Sequence, residues 1–196
     1  MIDNYPILKT TRLVLRKFLY EEACIVKELA GSEEVAHGCI NIPHPYMPGL
    51  AEIWIASHEI WYSEGSQVVF AVTRKEDGWI IGAVGLTLEP EHARAELGYW
   101  IGFPFWNHGY ATEAAEAVIT YAFDELLLHR ITASHFVRNL ASGRVLEKLG
   151  MKKEGLLREH LLKDGIREDV IIRGILRSDG RSFSEEIRAN YSGERT

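Results

Sequence analysis

Three strand-like runs follow one another in the middle of the chain, separated only by turn signals at Asp77-Gly78 and Glu89-Pro90. The runs cover Val68–Thr73, Trp79–Leu88 and Ala93–Ile101. Helical patterns stand on either side of this block, so strands and helices alternate along the chain. With 196 residues the chain is long enough to bury a continuous core. This order predicts an α/β fold built as one unit.

The flanking segments extend this pattern in both directions. Before the three central strands, the sequence predicts a strand over Leu13–Leu19 and helices near Glu21–Ala30 and Leu50–Ser63. After them it predicts a helix that ends near Leu127, a strand over Arg130–Phe136, a helix from Asn139, and a hairpin around Lys163-Asp164-Gly165. Residues 1–178 are therefore predicted to be a single domain, and residues 179–196 a polar C-terminal tail.

Charge and composition restrict the partners. The chain carries 28 acidic and 22 basic residues, which argues against general nucleic-acid binding and suits a cationic substrate such as an amine. No run approaches the ~18 apolar residues of a membrane span, and the first twelve residues contain no apolar signal core. Cys24 and Cys39 lack the spacing of a disulfide framework. We expect a cytoplasmic protein with no membrane partner.

Several common catalytic motifs are missing from the sequence. It contains no P-loop pattern and no G-x-S-x-G elbow. His37, Cys39 and His44 lie close together and could be metal ligands or a Cys-His nucleophile pair. Their spacing matches no structural zinc pattern, however, and loops between helices often carry such residues. We therefore predict that the protein has no metal site.

The segment FWNHGYATEA, residues 105–114, joins the end of a strand to the start of a helix through a loop that contains Gly109. Free backbone N–H groups at a helix N-terminus bind anions, and a glycine lets the anion approach closely. The loop has neither the lysine nor the Mg²⁺-binding hydroxyl pattern of a triphosphate-cleaving loop. It therefore favours a diphosphate held mainly by backbone donors. The alternative is that Gly109 only makes a turn.

A family resemblance extends over roughly residues 7–177. The segments TTRLVLR, AELGYWI, FWNHGYATEA, RITA and NLASGRVLEKLGMKKEG resemble, in order and approximate spacing, the GNAT superfamily and in particular its RimJ/RimL-type N-acetyltransferases. The resemblance implies a mostly antiparallel, splayed sheet of about six to seven strands flanked by about four helices. It also implies acetyl-CoA as cosubstrate, which would enter a wedge between the strand ending at Ile101 and the strand Arg130–Phe136.

The same resemblance implies the cofactor contacts. The family's acyl-CoA loop, [QR]-x-x-G-x-[GA], maps onto residues 106–111, where Trp106, Asn107 and His108 depart from the usual residues. The implied contacts are with the loop and helix start, the end of the preceding strand, and the head of a later helix: Trp106, Asn107, His108, Gly109, Tyr110, Ala111, Thr112, Trp100, Ile101, Gly102, Asn139 and Ser142. Asn139 could instead be a simple helix N-cap.

Glu96 is the predicted general base. An α-amino group of pKa about 8 costs roughly 1.4 kcal/mol to deprotonate at pH 7, against about 4.6 kcal/mol for a lysine, so a modest base suffices for a protein N-terminus. Strand alternation places Glu96, Gly98 and Trp100 on one face, which resembles a groove wall where partial burial would help the carboxylate. Alternatively, Glu96 is a surface carboxylate paired with Arg94.

Ser142 is the predicted donor to the leaving thiolate, whose protonation is worth roughly 2 kcal/mol at pH 7. It occupies the serine position of the RimL-like N-x-x-S pattern that begins at Asn139, and Leu146 stands where many GNAT members have a tyrosine. Because a hydroxyl is a weaker acid than the thiol, Ser142 would donate a hydrogen bond or relay a proton. The alternative is a structural serine near a helix start.

These observations predict an N-acetyltransferase that transfers acetyl directly to a primary amine, with a protein or peptide N-terminus as the best acceptor. Small amines such as polyamines or amino-sugars, or a non-catalytic acyl-CoA sensor, are the alternatives. Trp54 and Trp61 are expected in the core or in the acceptor groove. His129 and His160 are expected at partly exposed positions, and the alternative is that either lines the acceptor pocket. The sequence leaves open whether the protein is a monomer or a homodimer.

Overall fold

A computed structural model describes residues 5–179 of the chain. Eight strands make one mixed sheet, in the order β1-β2-β3-β4-β5-β6-β8-β7. The strands are β1 (Leu8–Lys9), β2 (Leu13–Arg16), β3 (Gln67–Arg74), β4 (Ile80–Glu89), β5 (Arg94–Ile101), β6 (Arg130–Phe136), β7 (Lys152–Lys163) and β8 (Ile166–Leu176). The helices are α1 (Ala23–Ala30), α2 (Glu33–Gly38), α3 (Leu50–Ser63), α4 (Tyr110–Asp124) and α5 (Leu140–Lys148).

The sheet opens into a wedge between β5 and β6. Every other neighbouring pair of strands is antiparallel, whereas β5 and β6 run parallel and share only three residue pairs, from Arg94↔Arg130 to Glu96↔Thr132. Beyond Glu96, β5 stays paired with β4 as far as Ile101, and β6 stays paired with β8 as far as Phe136. The predicted splay between these two strands is therefore confirmed.

Helices cover both faces of the sheet. On one face α4 and α5 pack over a core that includes Leu97, Ile101 and Val118, and on the other face α1, α2 and α3 pack over a core that includes Val69 and Trp100. The face of α4 toward the sheet is rich in alanine, so the helix can lie close to the strands. Burial of each larger apolar side chain contributes roughly 1.5–3 kcal/mol. The predicted alternation along β5, with Trp100 opposite to Leu97 and Ile101, is confirmed.

The mostly antiparallel mixed fold is confirmed, with slightly more elements than expected. The family resemblance implied about six to seven strands and about four helices, and residues 5–179 form eight strands and five α-helices. The elements that the sequence did not predict are β1 and α2, with two and six residues. The first strand predicted ends at Arg16 rather than Leu19, because the chain turns into a 3-10 helix over Tyr20–Glu22. The helix predicted to end near Leu127 ends at Asp124, since Leu127 takes a positive φ of 55°.

The last part of the chain is described only in part. Arg177–Asp179 form a 3-10 turn in which an Asp179 carboxylate oxygen accepts a hydrogen bond from the Leu176 backbone N–H, and the other pairs with Lys152. The rest of the predicted tail, residues 180–196, lies outside the described residues. No helix within residues 5–179 is long and apolar enough to cross a membrane.

Candidate active site

A cleft of about 1450 Å³ follows the wedge and continues over one face of the sheet. We call its two halves the loop side and the groove side. The loop side consists of residues 105–112, the edge of β5 that faces the wedge, and the first turn of α5, residues 139–142. The groove side consists of the face of β3, β4 and β5 that carries Glu96, together with residues 39–46, α3, and residues 157–161 of β7.

Backbone N–H groups dominate the loop side. Among residues 5–179, none of the six backbone N–H groups from residue 107 to residue 112 has a hydrogen-bond partner. Asn107 and Gly109 both adopt the left-handed conformation, with φ of 63° and 81°. Asparagine tolerates this conformation better than most residues, which explains how Asn107 occupies a position where the resemblance leads one to expect glycine in many members of the family. Unpaired N–H groups at the start of a 15-residue helix are suited to bind an anion.

The other unusual loop residues fix the loop against the sheet. The Trp106 indole Nε1 donates to the Ile101 carbonyl at 2.6 Å, and its ring meets Phe103 edge-on at a centroid distance of 5.1 Å. The His108 Nδ1 donates to the Trp106 carbonyl at 2.7 Å, and its ring stacks on Tyr110. These departures from the family loop therefore have structural contacts of their own.

The edge of β5 in the wedge offers free backbone groups. The Gly102 N–H donates to the Ile81 carbonyl at 2.8 Å, so Gly102 belongs to the ladder with β4. Because hydrogen-bonding direction alternates along a strand, the backbone of Trp100 also faces β4, while that of Leu97, Tyr99 and Ile101 faces the wedge. Of the three predicted contacts at the strand end, Ile101 is thus the one whose backbone faces the wedge, and its carbonyl accepts from Trp106.

Glu96 lies on the floor of the groove side, opposite Thr87 on β4. Its side chain is exposed, so the expected partial burial is wrong. The alternative pairing with Arg94 is also wrong, because Arg94 binds Glu89 at 2.6 Å. Within residues 5–179 the Glu96 carboxylate has no ion pair and no hydrogen bond. It is therefore free to accept a proton from a ligand in the cleft.

A bare patch of sheet lies beside Glu96. Gly85 and Gly98 face each other across β4 and β5, between the pairs Thr87–Glu96 and Ala83–Trp100. A Cβ added at Gly98 would have no heavy atom within 4 Å, whereas one at Gly85 would lie 2.8 Å from the Val68 carbonyl oxygen. The groove therefore has open space directly above Gly98.

Ser142 is held from two directions. Its hydroxyl lies 2.8 Å from the Tyr99 hydroxyl, and its backbone N–H donates to the Asn139 Oδ1 at 3.0 Å. Burial raises the pKa of Tyr99 to about 12, and the hydrogen bond to Ser142 opposes the rise. Asn139 is thus a helix N-cap, and its Nδ2 also donates to the Gly38 carbonyl at 3.0 Å. Tyr99 was not predicted, because it is 43 residues from Ser142 and no local pattern links them.

An aromatic cluster on α3 borders the groove side. Trp54 and Trp61 line the cleft, and His58 packs between them with a centroid distance of 4.3 Å to Trp54 and 5.7 Å to Trp61. The His58 side chain is only 6% exposed, and neither ring nitrogen has a hydrogen-bond partner in the described part of the chain. Burial lowers its pKa to about 4, so the ring is neutral and serves to pack this wall.

The remaining candidate residues form neither a metal site nor a Cys-His nucleophile pair within residues 5–179. Burial raises the pKa of Cys39 to about 11, which keeps the thiol protonated and unreactive as a nucleophile. The His44 Nδ1 lies 3.1 Å from the Gly31 carbonyl oxygen. His129 and His160 are both exposed, and His160 lines the cleft whereas His129 does not. The described residues contain no group of three histidine, cysteine or acidic side chains close enough to hold a metal ion.

Comparison with known proteins agrees with this architecture. A family model described as an acetyltransferase (GNAT) domain matches residues 12–152. The uncharacterized N-acetyltransferase YoaA of Bacillus subtilis (strain 168) is 32% identical over 176 residues, covering 88% of this chain and 98% of YoaA. The ribosomal protein uS5-alanine N-acetyltransferase of Escherichia coli (strain K12) is 30% identical over 121 residues, covering 61% of this chain and 62% of that enzyme.

A solved structure shares the fold. RimL, a ribosomal L7/L12 α-N-protein acetyltransferase in complex with coenzyme A, superposes with a TM-score of 0.80 and 16% identity, covering 87% of this chain and 98% of RimL. The family match spans more than half of the chain, and YoaA is similar over nearly its full length. The chain belongs to the GNAT family and is an N-acetyltransferase.

Proposed function

We propose that this enzyme transfers the acetyl group of acetyl-CoA directly to the α-amino group of a protein or peptide. The observation that carries the proposal is the continuity of the cleft. It runs from the six unpaired N–H groups at residues 107–112, along the open edge of β5, to Ser142 on one wall and Glu96 on the groove floor. An elongated acyl carrier with a diphosphate at one end and a thioester at the other fits such a cleft.

The loop side would bind acetyl-CoA. Residues 107–112 would hold the diphosphate through backbone N–H groups, in the way that a helix N-terminus binds phosphate. The pantetheine arm carries amide groups that can pair with a free strand edge, and the backbone of Leu97, Tyr99 and Ile101 supplies that edge. The backbone groups of Trp100 and Gly102 face β4, so these two residues would contact the cofactor only by packing against it. Asn139 would contact the cofactor from the head of α5. RimL, which shares the fold, is a complex with coenzyme A.

Glu96 and Ser142 would carry the chemistry from opposite sides of the thioester. Glu96 accepts the proton of the attacking amine, directly or through a water, since its carboxylate is exposed and unpaired. The amine nitrogen bonds to the acetyl carbon, and the carbon–sulfur bond breaks. The Ser142 hydroxyl donates a hydrogen bond to the sulfur as it becomes a thiolate, and the Tyr99 hydroxyl at 2.8 Å supports that donor. The proton taken up by Glu96 then passes through solvent to the thiolate, so the products are an amide and free coenzyme A thiol, and Glu96 is again a carboxylate.

The acceptor follows from the cost of deprotonating the attacking amine. An exposed carboxylate without a positioned partner suits an amine that loses its proton easily, and an α-amino group costs roughly 3 kcal/mol less to deprotonate at pH 7 than a lysine. The E. coli relative is named as an enzyme for an alanine of ribosomal protein uS5, and RimL as one for an α-amino group of L7/L12. An N-terminal amine is therefore the acceptor we propose.

The test is turnover of acetyl-CoA, followed by release of free thiol, against three sets of acceptors. The first set contains peptides with a free N-terminus and no lysine, the second contains the same peptides with a blocked N-terminus and one lysine, and the third contains polyamines and amino-sugars. We expect turnover with the first set. Turnover confined to the second or third set would overturn the proposed acceptor, and binding of acetyl-CoA without turnover on any amine would indicate a sensor.

A further inference from the structure

The turn between β1 and β2 is bonded to the first turn of α4, about 100 residues away along the chain. The Glu113 carboxylate accepts hydrogen bonds from the Thr10 hydroxyl at 2.6 Å, the Arg12 backbone N–H at 2.8 Å and the Arg12 Nε at 2.7 Å. The Arg12 Nη2 lies 2.6 Å from the same carboxylate. Glu113 is only 16% exposed, so these donors replace most of its water.

Arg12 also reaches the anion-binding loop itself. Its Nη1 donates to the His108 carbonyl at 2.9 Å, and its guanidinium lies 4.7 Å from the centroid of the Tyr110 ring. His108 and Tyr110 stand on either side of Gly109, whose backbone is in the left-handed conformation. One guanidinium therefore connects Glu113 at the helix start with the residues on both sides of the loop glycine.

This contact fixes the direction of a backbone donor. In a trans peptide the carbonyl and the following N–H point in opposite directions. When Arg12 draws the His108 carbonyl toward itself, the N–H of Gly109 is turned to the other side of the peptide plane. That N–H is one of the six without a partner. The charge of Arg12 is compensated by Glu113, so its contribution is geometric and not a general attraction for anions.

We infer that Arg12 and Glu113 are positioning residues for the diphosphate of acetyl-CoA. They hold residues 107–112 in the anion-binding form before the ligand arrives, so that binding does not have to order the loop. Neither side chain has to touch the ligand. The inference rests on the proposed function, because it assumes that this loop receives the diphosphate of acetyl-CoA.

The chain offers a matched control for the test. Arg16 on β2 also binds both oxygens of a carboxylate, that of Glu22, at 3.0 and 2.6 Å, and it also donates to a backbone carbonyl, that of Lys17, at 3.0 Å. Arg16 is the less exposed of the two arginines, at 27% against 47% for Arg12. Replacing either arginine with lysine keeps the charge but removes the planar fork that binds two acceptors at once.

The experiment compares Arg12→Lys and Arg16→Lys in the full chain, with coenzyme A as the calorimetric probe and thermal unfolding as the stability readout. We expect Arg12→Lys to weaken coenzyme A binding about tenfold, in line with the loss of a charge-assisted hydrogen bond, and Arg16→Lys to leave it unchanged. Because Arg16 is less exposed, Arg16→Lys should lower the unfolding temperature at least as much as Arg12→Lys does. If Arg12 had a purely structural role, each variant would lose affinity for coenzyme A in proportion to its loss of stability, and Arg16→Lys would then weaken binding as well.

A second readout uses acetyl-pantetheine, which has the thioester but no diphosphate. In Arg12→Lys, kcat/KM should fall about tenfold with acetyl-CoA and stay within about twofold of the wild-type value with acetyl-pantetheine. Equal losses with both thioesters, or unchanged affinity for coenzyme A, would overturn the inference while leaving the proposed function intact. Failure of the wild-type protein to bind coenzyme A would instead overturn the proposed function and this inference with it.

Discussion

The loop side and the groove side of the cleft are built from different materials. The loop side consists of backbone groups, namely the unpaired N–H groups of residues 107–112 and the open edge of β5, and its side chains mostly brace that backbone. The groove side is lined by side chains that loops, a helix and a hairpin bring together, such as Tyr46, Trp54, Glu96 and Leu157. The loop side requires particular backbone dihedral angles, and the groove side requires particular side chains.

This difference separates two tasks, the binding of acetyl-CoA on the loop side and the selection of the acceptor amine on the groove side. A site made of backbone survives many side-chain changes, which is how the loop keeps its form with Asn107 in place of glycine. A site made of side chains changes with each substitution. We therefore expect variants of the groove side to alter acceptor use and variants of the loop side to alter acetyl-CoA affinity. Each prediction below tests this separation, beginning with the largest effect.

Glu96→Gln should lower kcat by about 100-fold or more, since a positioned general base contributes this much, and should leave the affinity for acetyl-CoA unchanged. Steady-state kinetics and calorimetry measure the two quantities. Glu34→Gln is the matched control, because Glu34 is another exposed glutamate that lines the same cleft. If both variants keep wild-type kcat, Glu96 is not the base; a loss of acetyl-CoA affinity in Glu96→Gln would break the separation.

Gly98→Val should raise KM for the amine about 30-fold, because the valine side chain would fill the open space beside Glu96. An effect of this size is comparable to the discrimination that one or two methyl groups produce in a binding pocket. The affinity for acetyl-CoA should be unchanged. Gly155→Val controls for the introduction of a branched residue in a strand, since a Cβ at Gly155 also meets open space and Gly155 does not line the cleft. An unaltered acceptor KM would show that the acceptor does not lie over Gly98.

Gly109→Val should weaken acetyl-CoA binding at least tenfold, about 1.4 kcal/mol, because a branched residue disfavours the φ of 81° that opens the loop. The acceptor KM should stay near its wild-type value. Gly165→Val is the control for backbone strain, since Gly165 has a φ of 80° in the hairpin turn between β7 and β8. Should both variants lose the same unfolding free energy and neither lose affinity, the diphosphate is bound elsewhere.

Tyr99→Phe should lower kcat about threefold, the size of one net hydrogen bond, because Ser142 would lose the hydroxyl partner at 2.8 Å. The effect should be smaller than that of Ser142→Ala, measured under the same saturating conditions. A larger loss in Tyr99→Phe than in Ser142→Ala would make the tyrosine the donor to the sulfur. Tyr20→Phe, at an exposed position outside the cleft, provides the control.

Most of the long elements could be predicted from the sequence, because each has a local signal. Helix α3 was predicted with the bounds observed, Leu50–Ser63, and β6 likewise, Arg130–Phe136. The elements that were missed have no such signal: β1 has two residues and α2 has six, too few to show a period. Strand β7 was predicted only as one arm of the hairpin around Lys163-Asp164-Gly165, and its start at Lys152 was not, because register shifts along it interrupt the alternation.

The candidate site divides in the same way. The loop at residues 105–112 could be predicted because strand end, glycine and helix start are adjacent in the sequence. The contact that braces this loop could not be predicted, because Arg12 and Glu113 are 101 positions apart. The contact that holds Ser142 could not be predicted either, because Tyr99 is 43 positions away. The exposure of Glu96 also depends on elements far away in sequence, since α3 and the hairpin leave the floor of the groove open.

The three residue pairs between β5 and β6 have a consequence for the lifetime of the protein. Within residues 5–179, these pairs and the bonds from the His129 and Arg130 N–H groups to the Ala93 carbonyl are the backbone connection between the five-stranded and three-stranded parts of the sheet. A ligand that pairs with the open edge of β5 adds to that connection. A ligand at 100 times its Kd stabilises the folded state by about 2.7 kcal/mol through mass action. If acetyl-CoA is that ligand, the resistance of this enzyme to proteolysis rises and falls with the acetyl-CoA supply of the cell.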